Sequence, residues 1–300
     1  MAKAVYVGVG SKARKMKKAY IGIGGKARKV KKMYIGVGGK ARLCYSAEAD
    51  KFGMAASLSK ARSLLAGTTV GGYALFGGGG YDSDAKKGEA IMDAYNASLT
   101  RTTATPLPSN AYACAGGTVG GYAVFSGGSS MNSDSTLVET IGALEIVRAY
   151  DSSLTSSKAA PLSCPRAVHS AATIGNHLLF AGGYNSTTGK YLSTVESYDA
   201  SLTRSTAVEL SSAKNGLASA TVGEYAMFAG GYKGNSDAAY VATVDAYNTA
   251  LTKMTMPDLS VGRYGLASAV IGDYALFAGG ISKISSTADK YQDVVDVYSA

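Results

Sequence analysis

Tryptophan is missing from the 300 residues, proline occurs five times, cysteine three times and histidine twice. So few soft ligands leave little room for metal or redox chemistry. Cys44, Cys114 and Cys164 show neither a metal-ligand spacing nor an even disulfide set, and read as small buried residues. No apolar run reaches the length of a membrane span or a signal-peptide core, which predicts synthesis in the cytoplasm, no classical secretion and no membrane insertion. The most telling absence is local: residues 1–43 contain no Asp or Glu, yet hold 13 of the 30 Lys and Arg. The remainder carries 17 cations against 21 acids, so the formal charge of +9 belongs to an arm on a mildly acidic body. A cationic patch of this density attracts polyanions or acidic surfaces.

What is abundant points to β structure. Glycine occurs 38 times and tyrosine 21 times, the usage of short strands joined by tight turns. Five stretches are near copies: YALFGGG (73–79), YAVFSGG (122–128), HLLFAGG (177–183), YAMFAGG (225–231) and YALFAGG (274–280). Each is followed by a second motif that ends near Tyr95, Tyr150, Tyr198, Tyr247 or Tyr298. From each of the first four tyrosines to the next motif phenylalanine (Phe125, Phe180, Phe228, Phe277) the gap is 30 residues. From phenylalanine to tyrosine it varies between 18 and 25. Insertions are tolerated where a loop is exposed and rejected where strands pack, so the connection after each Gly-Gly is the variable face. One unit reads as four strands, with Tyr225 and Met227 on one face of its second strand and Ala226 and Phe228 on the other. The recurring Gly-Gly has no side chains and permits positive φ or close backbone approach; with no helix pattern after it, a phosphate loop is excluded.

A hydrophobic strand ending in Gly-Gly, then a strand closed by tyrosine, at about 50 residues per unit, resembles the kelch-repeat family. The resemblance covers about residues 46–300 and departs in lacking the usual tryptophan. It implies an all-β fold: a five-bladed kelch-like β-propeller over 46–300, preceded by a basic β-hairpin repeat arm over 1–45. Leu58 occupies the slot of Leu107, Leu162, Leu210 and Leu259, so Lys51–Met54 is expected to supply the fourth strand of the last blade and close the ring.

Kelch-like folds include enzymes, but the residues for catalysis do not assemble on paper. His169 and His177 fall on different strands of one unit and read as structural substitutes. Arg62, Arg166 and Arg263 occupy matching slots, which leaves a sialidase-like arginine rim as the enzymatic alternative; salt-bridging to nearby acids is the plainer account. The expectation is no catalytic site, no cofactor and no metal. The variable connections are instead rich in Tyr, Ser, Asn and Asp, residues that give rigid contact area and adaptable hydrogen bonds. Candidate ligand-binding residues are Tyr81, Asp82, Asn132, Tyr184, Asn185, Tyr191, Tyr232, Asn235, Tyr240 and Tyr291.

The arm repeats every 14 residues at Tyr6, Tyr20 and Tyr34, each copy an apolar strand, a glycine turn and a basic strand. Lys12, Arg14, Lys26, Arg28, Lys40 and Arg42 are its candidate anchor residues. Such thin hairpins cannot build a core alone, which predicts a homo-oligomer, trimer or larger. The wording YIGIGGKAR and YIGVGGKAR resembles repeats of phage and prophage virion structural proteins. That resemblance implies a virion surface location, with residues 1–45 docked on a virion structural protein and the propeller binding a host-surface glycan or protein, as a tail fibre, tail tip or capsid decoration. A kelch scaffold with a nucleic-acid-binding arm is the remaining alternative.

Overall fold

A computed structural model describes residues 55–80, 88–130, 142–234, 239–285 and 288–299, together with six backbone strands between Tyr6 and Ser46. The chain divides into two compact units, Met1–Met54 and Ala55–Ala300. In the first, three antiparallel hairpins pair Tyr6–Val9 with Lys12–Lys15, Tyr20–Ile23 with Lys26–Lys29, and Lys32–Val37 with Lys40–Ser46. The six anchor candidates lie on the second strand of each hairpin.

Among the described residues the second unit is a series of five larger antiparallel sheets, four of them four-stranded and the last three-stranded, with three two-stranded hairpins in their connections. The fourth blade is representative: Ala218–Val222, Tyr225–Ala229, Val244–Tyr247 and Lys253–Met256 pair in chain order. Its second strand alternates as the period of two requires. Met227 packs toward the fifth blade with Phe277 and Tyr298, while Ala226 and Phe228 pack toward the third with Ile174 and Leu179. Each of the last four blades sets an edge-to-face Phe–Tyr pair, such as Phe228 and Tyr247 with centroids 6.0 Å apart, against aliphatic side chains of the blade before. The tyrosine hydroxyl then donates to a carbonyl in the strand-to-strand passage from that earlier blade: Tyr198 to Ala160 at 2.9 Å, Tyr247 to Val208 at 2.7 Å and Tyr298 to Pro257 at 2.9 Å.

The Gly-Gly is where consecutive blades meet backbone to backbone. Gly230 has φ of 68°, and a Cβ there would lie 2.6 Å from the carbonyl oxygen of Arg263 in the next blade. Gly231 N–H donates to that same oxygen at 2.8 Å. The first and second glycines of the three earlier pairs repeat both relations, against the carbonyls of Ala111, Arg166 and Lys214.

The four blade-to-blade junctions are closely packed, but no packed junction joins the fifth sheet to the first among the described residues. Val70, Val119, Ile174 and Val222 are 3–4% exposed, whereas Ile271 in the same slot of the fifth blade is 69% exposed. Val295 and Val297 are open beside it. Among the described residues nothing covers this face; the segment expected to close the ring, Lys51–Met54, lies outside the described residues.

The glycine contacts give a direct test. Gly121 has positive φ, but a Cβ added there would meet nothing within 4 Å, so Gly121→Ala should cost only the left-handed strain, about 1–2 kcal/mol. Gly230→Ala adds a collision with backbone and should cost about 3 kcal/mol or more in urea unfolding. Equal losses from the two substitutions would contradict the junction geometry.

Candidate functional site

Three consecutive residues, lying between the last strand of one blade and the first strand of the next, organise the site. The first is the cation slot, held by Arg62, Ala111, Arg166, Lys214 and Arg263. The arginines do not form a rim. Arg62 pairs with Asp93 at 2.9 Å, Arg166 with Glu196 at 2.5 Å and Arg263 with Asp296 at 2.6 Å, and all three guanidinium-bearing side chains are fully buried. Lys214 pairs with Asp245 at 3.4 Å. Each carboxylate also accepts the backbone N–H of the serine that enters the blade: Ser59, Ser163, Ser211 and Ser260. In the second blade Arg148 stands in the acid slot and Ala111 in the cation slot, so the pair is exchanged as a unit. Removing one partner of such a pair would strand a buried charge. Burial lowers the Lys214 ammonium, only partly opposed by Asp245. Burial raises the Asp245 carboxyl, but the Ser211 hydrogen bond, Lys214 and Lys253 outweigh it, so the group stays below its ordinary range.

The second residue of the triplet, next to the buried cation, pairs with the residue after the Gly-Gly of its own blade. These bridges are Ala167 with Tyr184, Asn215 with Tyr232, and Tyr264 with Ile281. They bring three variable connections to one place. Tyr184 lies opposite Tyr191 in a short hairpin with ring centroids 5.0 Å apart, and Tyr191 meets Tyr232 of the next blade at 5.7 Å. Tyr232 contacts Tyr240 at 5.5 Å and Tyr264 at 6.1 Å. The five rings, with Asn215, Lys283 and Asp289, line a cleft of about 520 Å³. Gly216, the third residue of its triplet, seats one of them: a Cβ there would lie 2.0 Å from the Tyr264 ring.

The polar groups of the cleft are few and defined. Tyr240 donates its hydroxyl to Asp289 at 3.0 Å, and Lys283 lies 3.8 Å from the same carboxylate. Burial pushes the Tyr191 phenol up, with Tyr232, Tyr184 and Tyr264 adding to it. Burial and then the Asp289 hydrogen bond do the same to Tyr240. Both therefore remain protonated donors at neutral pH. The side-chain oxygen of Asn215 is buried and has no hydrogen-bond donor.

Of the candidate binding residues, Tyr184, Tyr191, Tyr232 and Tyr240 line the cleft together. Asn185 does not contribute: its oxygen accepts the backbone N–H groups of Thr187 and Thr188 and shapes the hairpin turn. Tyr291 is 83% exposed and lies off the cleft. Tyr81, Asp82, Asn132 and Asn235 fall outside the described residues. Asn215 and Tyr264 are absent from the sequence candidates, because they sit in the segment of constant length rather than in the variable loops. The slot directly after the repeated cation is the signal that could have found them.

The Kelch motif family matches residues 165–201, within the third blade. No curated protein sequence matches the chain. A solved structure titled "Structure of YjhT" is similar to it with a TM-score of 0.61 and 15% identity, over 83% of this chain and 90% of that one. Identity this low speaks to the fold alone.

The two histidines are not part of the cleft. His177 Nδ1 lies 3.1 Å from the Ser197 hydroxyl. His169 Nε2 lies 2.8 Å from the hydroxyl of Ser126, and its ring packs edge-on against Phe180. Leu65, Leu217 and Leu266 hold the same slot in other blades, so His169 is a core residue in place of leucine. Burial, then Arg166, lowers its imidazole to about 3. The unfolded chain takes up this proton below about pH 6.5 while the folded chain refuses it. Stability from this site is thus complete above pH 6.5 and falls by up to about 1.4 kcal/mol per unit down to pH 3. His169→Leu should flatten that portion of a stability–pH curve measured by urea unfolding; an unchanged slope would contradict the buried neutral imidazole.

Proposed function

We propose that the chain, a kelch-repeat β-propeller preceded by a basic hairpin arm, is a non-catalytic virion structural protein that docks through residues 1–45 and binds a host-surface glycan or protein. The observation that carries the binding half is the cleft itself. Variable connections from the third, fourth and fifth blades converge there as a wall of tyrosines, while the cations that could have formed a charged catalytic rim are turned inward against carboxylates. The arrangement offers contact area and hydrogen-bond donors; the one described tyrosine hydroxyl held on a carboxylate, Tyr240 on Asp289, has its pKa raised and so serves as a donor rather than an activated nucleophile.

The arm supports the docking half. Its three hairpins concentrate cations on their second strands, and its 14-residue repeat resembles those of virion structural proteins. Hairpins of this size gain stability by pairing with copies of themselves or a scaffold, which favours a trimer or larger assembly at the virion surface. The absence of acids keeps such an arm from repelling an acidic partner.

Purified full-length protein should co-sediment with particles of the phage that encodes it, and protein lacking residues 1–45 should not, while both should adhere to host cells. Tyr191→Ala should weaken cell adhesion at least tenfold and leave particle association unchanged. Recovery of the protein solely free in the cytoplasm, or adhesion that travels with the arm instead of the propeller, would overturn the proposal. Salt-dependent DNA binding by the arm would turn the docking half toward nucleic acid.

A further inference from the structure

We infer that the tyrosine cleft takes a neutral saccharide, holding one pyranose ring against Tyr191 and its neighbours with a sugar hydroxyl donating to the side-chain oxygen of Asn215. The inference rests on the binding role proposed above and narrows its ligand to one class.

The argument begins with the unmatched acceptor. Asn215 sits beside buried Lys214, pinned by the bridge to Tyr232, and its oxygen is buried in the cleft wall without a donor. A buried acceptor without a donor is a standing cost that a ligand relieves by bringing one. A hydroxyl supplies one; a carboxylate or a quaternary ammonium does not. The walls then set the shape. Rings of Tyr184, Tyr191, Tyr232 and Tyr264 lean on one another edge to face or tilted, which fixes them before any ligand arrives. Rigid aromatic walls lower the entropy lost on binding and suit a flat, carbon-bearing face framed by hydroxyls.

Charge decides between sugar classes. Among the described residues the cleft contains one cation and one anion, Lys283 and Asp289, 3.8 Å apart on facing strands of one hairpin. Arg166, Lys214 and Arg263 lie one residue away in sequence from the cleft-lining slot but point inside, each on its own carboxylate. An acidic sugar would meet Asp289 and would have to draw Lys283 away from it. A cationic ligand would be attracted to Asp289 and the ring faces but would leave the Asn215 acceptor unmatched. A neutral sugar meets neither conflict: the protonated Tyr191 hydroxyl donates to its oxygen atoms, and the Tyr240 oxygen, whose proton goes to Asp289, accepts from a sugar hydroxyl.

The test uses the full chain with methyl glycosides of glucose, galactose and N-acetylglucosamine, beside methyl glucuronide, the methyl glycoside of sialic acid and tetramethylammonium. Saturation-transfer NMR reads contact, and tyrosine emission, unobscured because the chain lacks tryptophan, reads affinity. At least one neutral glycoside should bind tenfold more tightly than every charged probe. Tyr191→Ala and Asn215→Leu should each weaken it at least tenfold, whereas Asn215→Asp, which keeps an acceptor, should retain most of it; unchanged thermal midpoints exclude unfolding as the cause. Preference for a charged probe, binding indifferent to both substitutions, or no saccharide bound at all would overturn the inference. Cell adhesion separates this failure from that of the broader role. Adhesion that survives periodate oxidation but not protease treatment leaves a protein ligand and removes the saccharide, whereas loss of all adhesion removes the broader role while a neutral glycoside bound in the cleft still stands.

Discussion

Four backbone hydrogen bonds set the spacing of this fold. Ala113, Val168, Gly216 and Gly265 each donate an N–H to the carbonyl of the equivalent residue one blade earlier: Leu64, Ala113, Val168 and Gly216, at 2.9–3.0 Å. All five residues have φ between 54° and 65°. Glycine adopts that region freely, but leucine, alanine and especially β-branched valine do so at a cost of about 1–2 kcal/mol. The ladder accounts for the cost. A blade that left the left-handed region at this point would lose its bond to the neighbour and misdirect the residues on either side.

What the ladder holds is the link between stability and the site. Immediately before each ladder residue stands the cleft-lining slot, and before that the buried cation. The ion pair draws one side chain into the blade, the left-handed turn follows, and the residue between them pairs with the residue after the Gly-Gly. Alternate burial and exposure of adjacent residues therefore comes from electrostatics on one side and backbone geometry on the other. The Gly-Gly completes the arrangement from the neighbouring blade by bonding to the carbonyl of the cation residue itself. Asn215 and Tyr264 reach the cleft because Lys214 and Arg263 do not.

Much of this is visible in the residue order. The five copies, the strand pattern and the faces of Tyr225, Ala226, Met227 and Phe228 follow from a period of two, and the positive φ of the Gly-Gly follows from its missing side chains. Gathering of Tyr184, Tyr191, Tyr232 and Tyr240 follows from placing the length variation on one side. Other features are long-range. Nothing local in Val168 or Ala113 favours a left-handed backbone; a bond from another blade imposes it. The acids that neutralise the arginines lie 30 to 33 residues downstream, legible once the slot two before each motif tyrosine is compared across units. The open face of Ile271 has a side chain like its buried counterparts, so composition alone could not have distinguished it.

The ladder is tested most directly by amide hydrogen exchange in the intact chain. The N–H groups of Ala113, Val168, Gly216 and Gly265 should exchange only as slowly as global unfolding allows, together with the central strands of the blades they join. Exchange of these four amides within seconds, while the strands stay protected, would contradict the account.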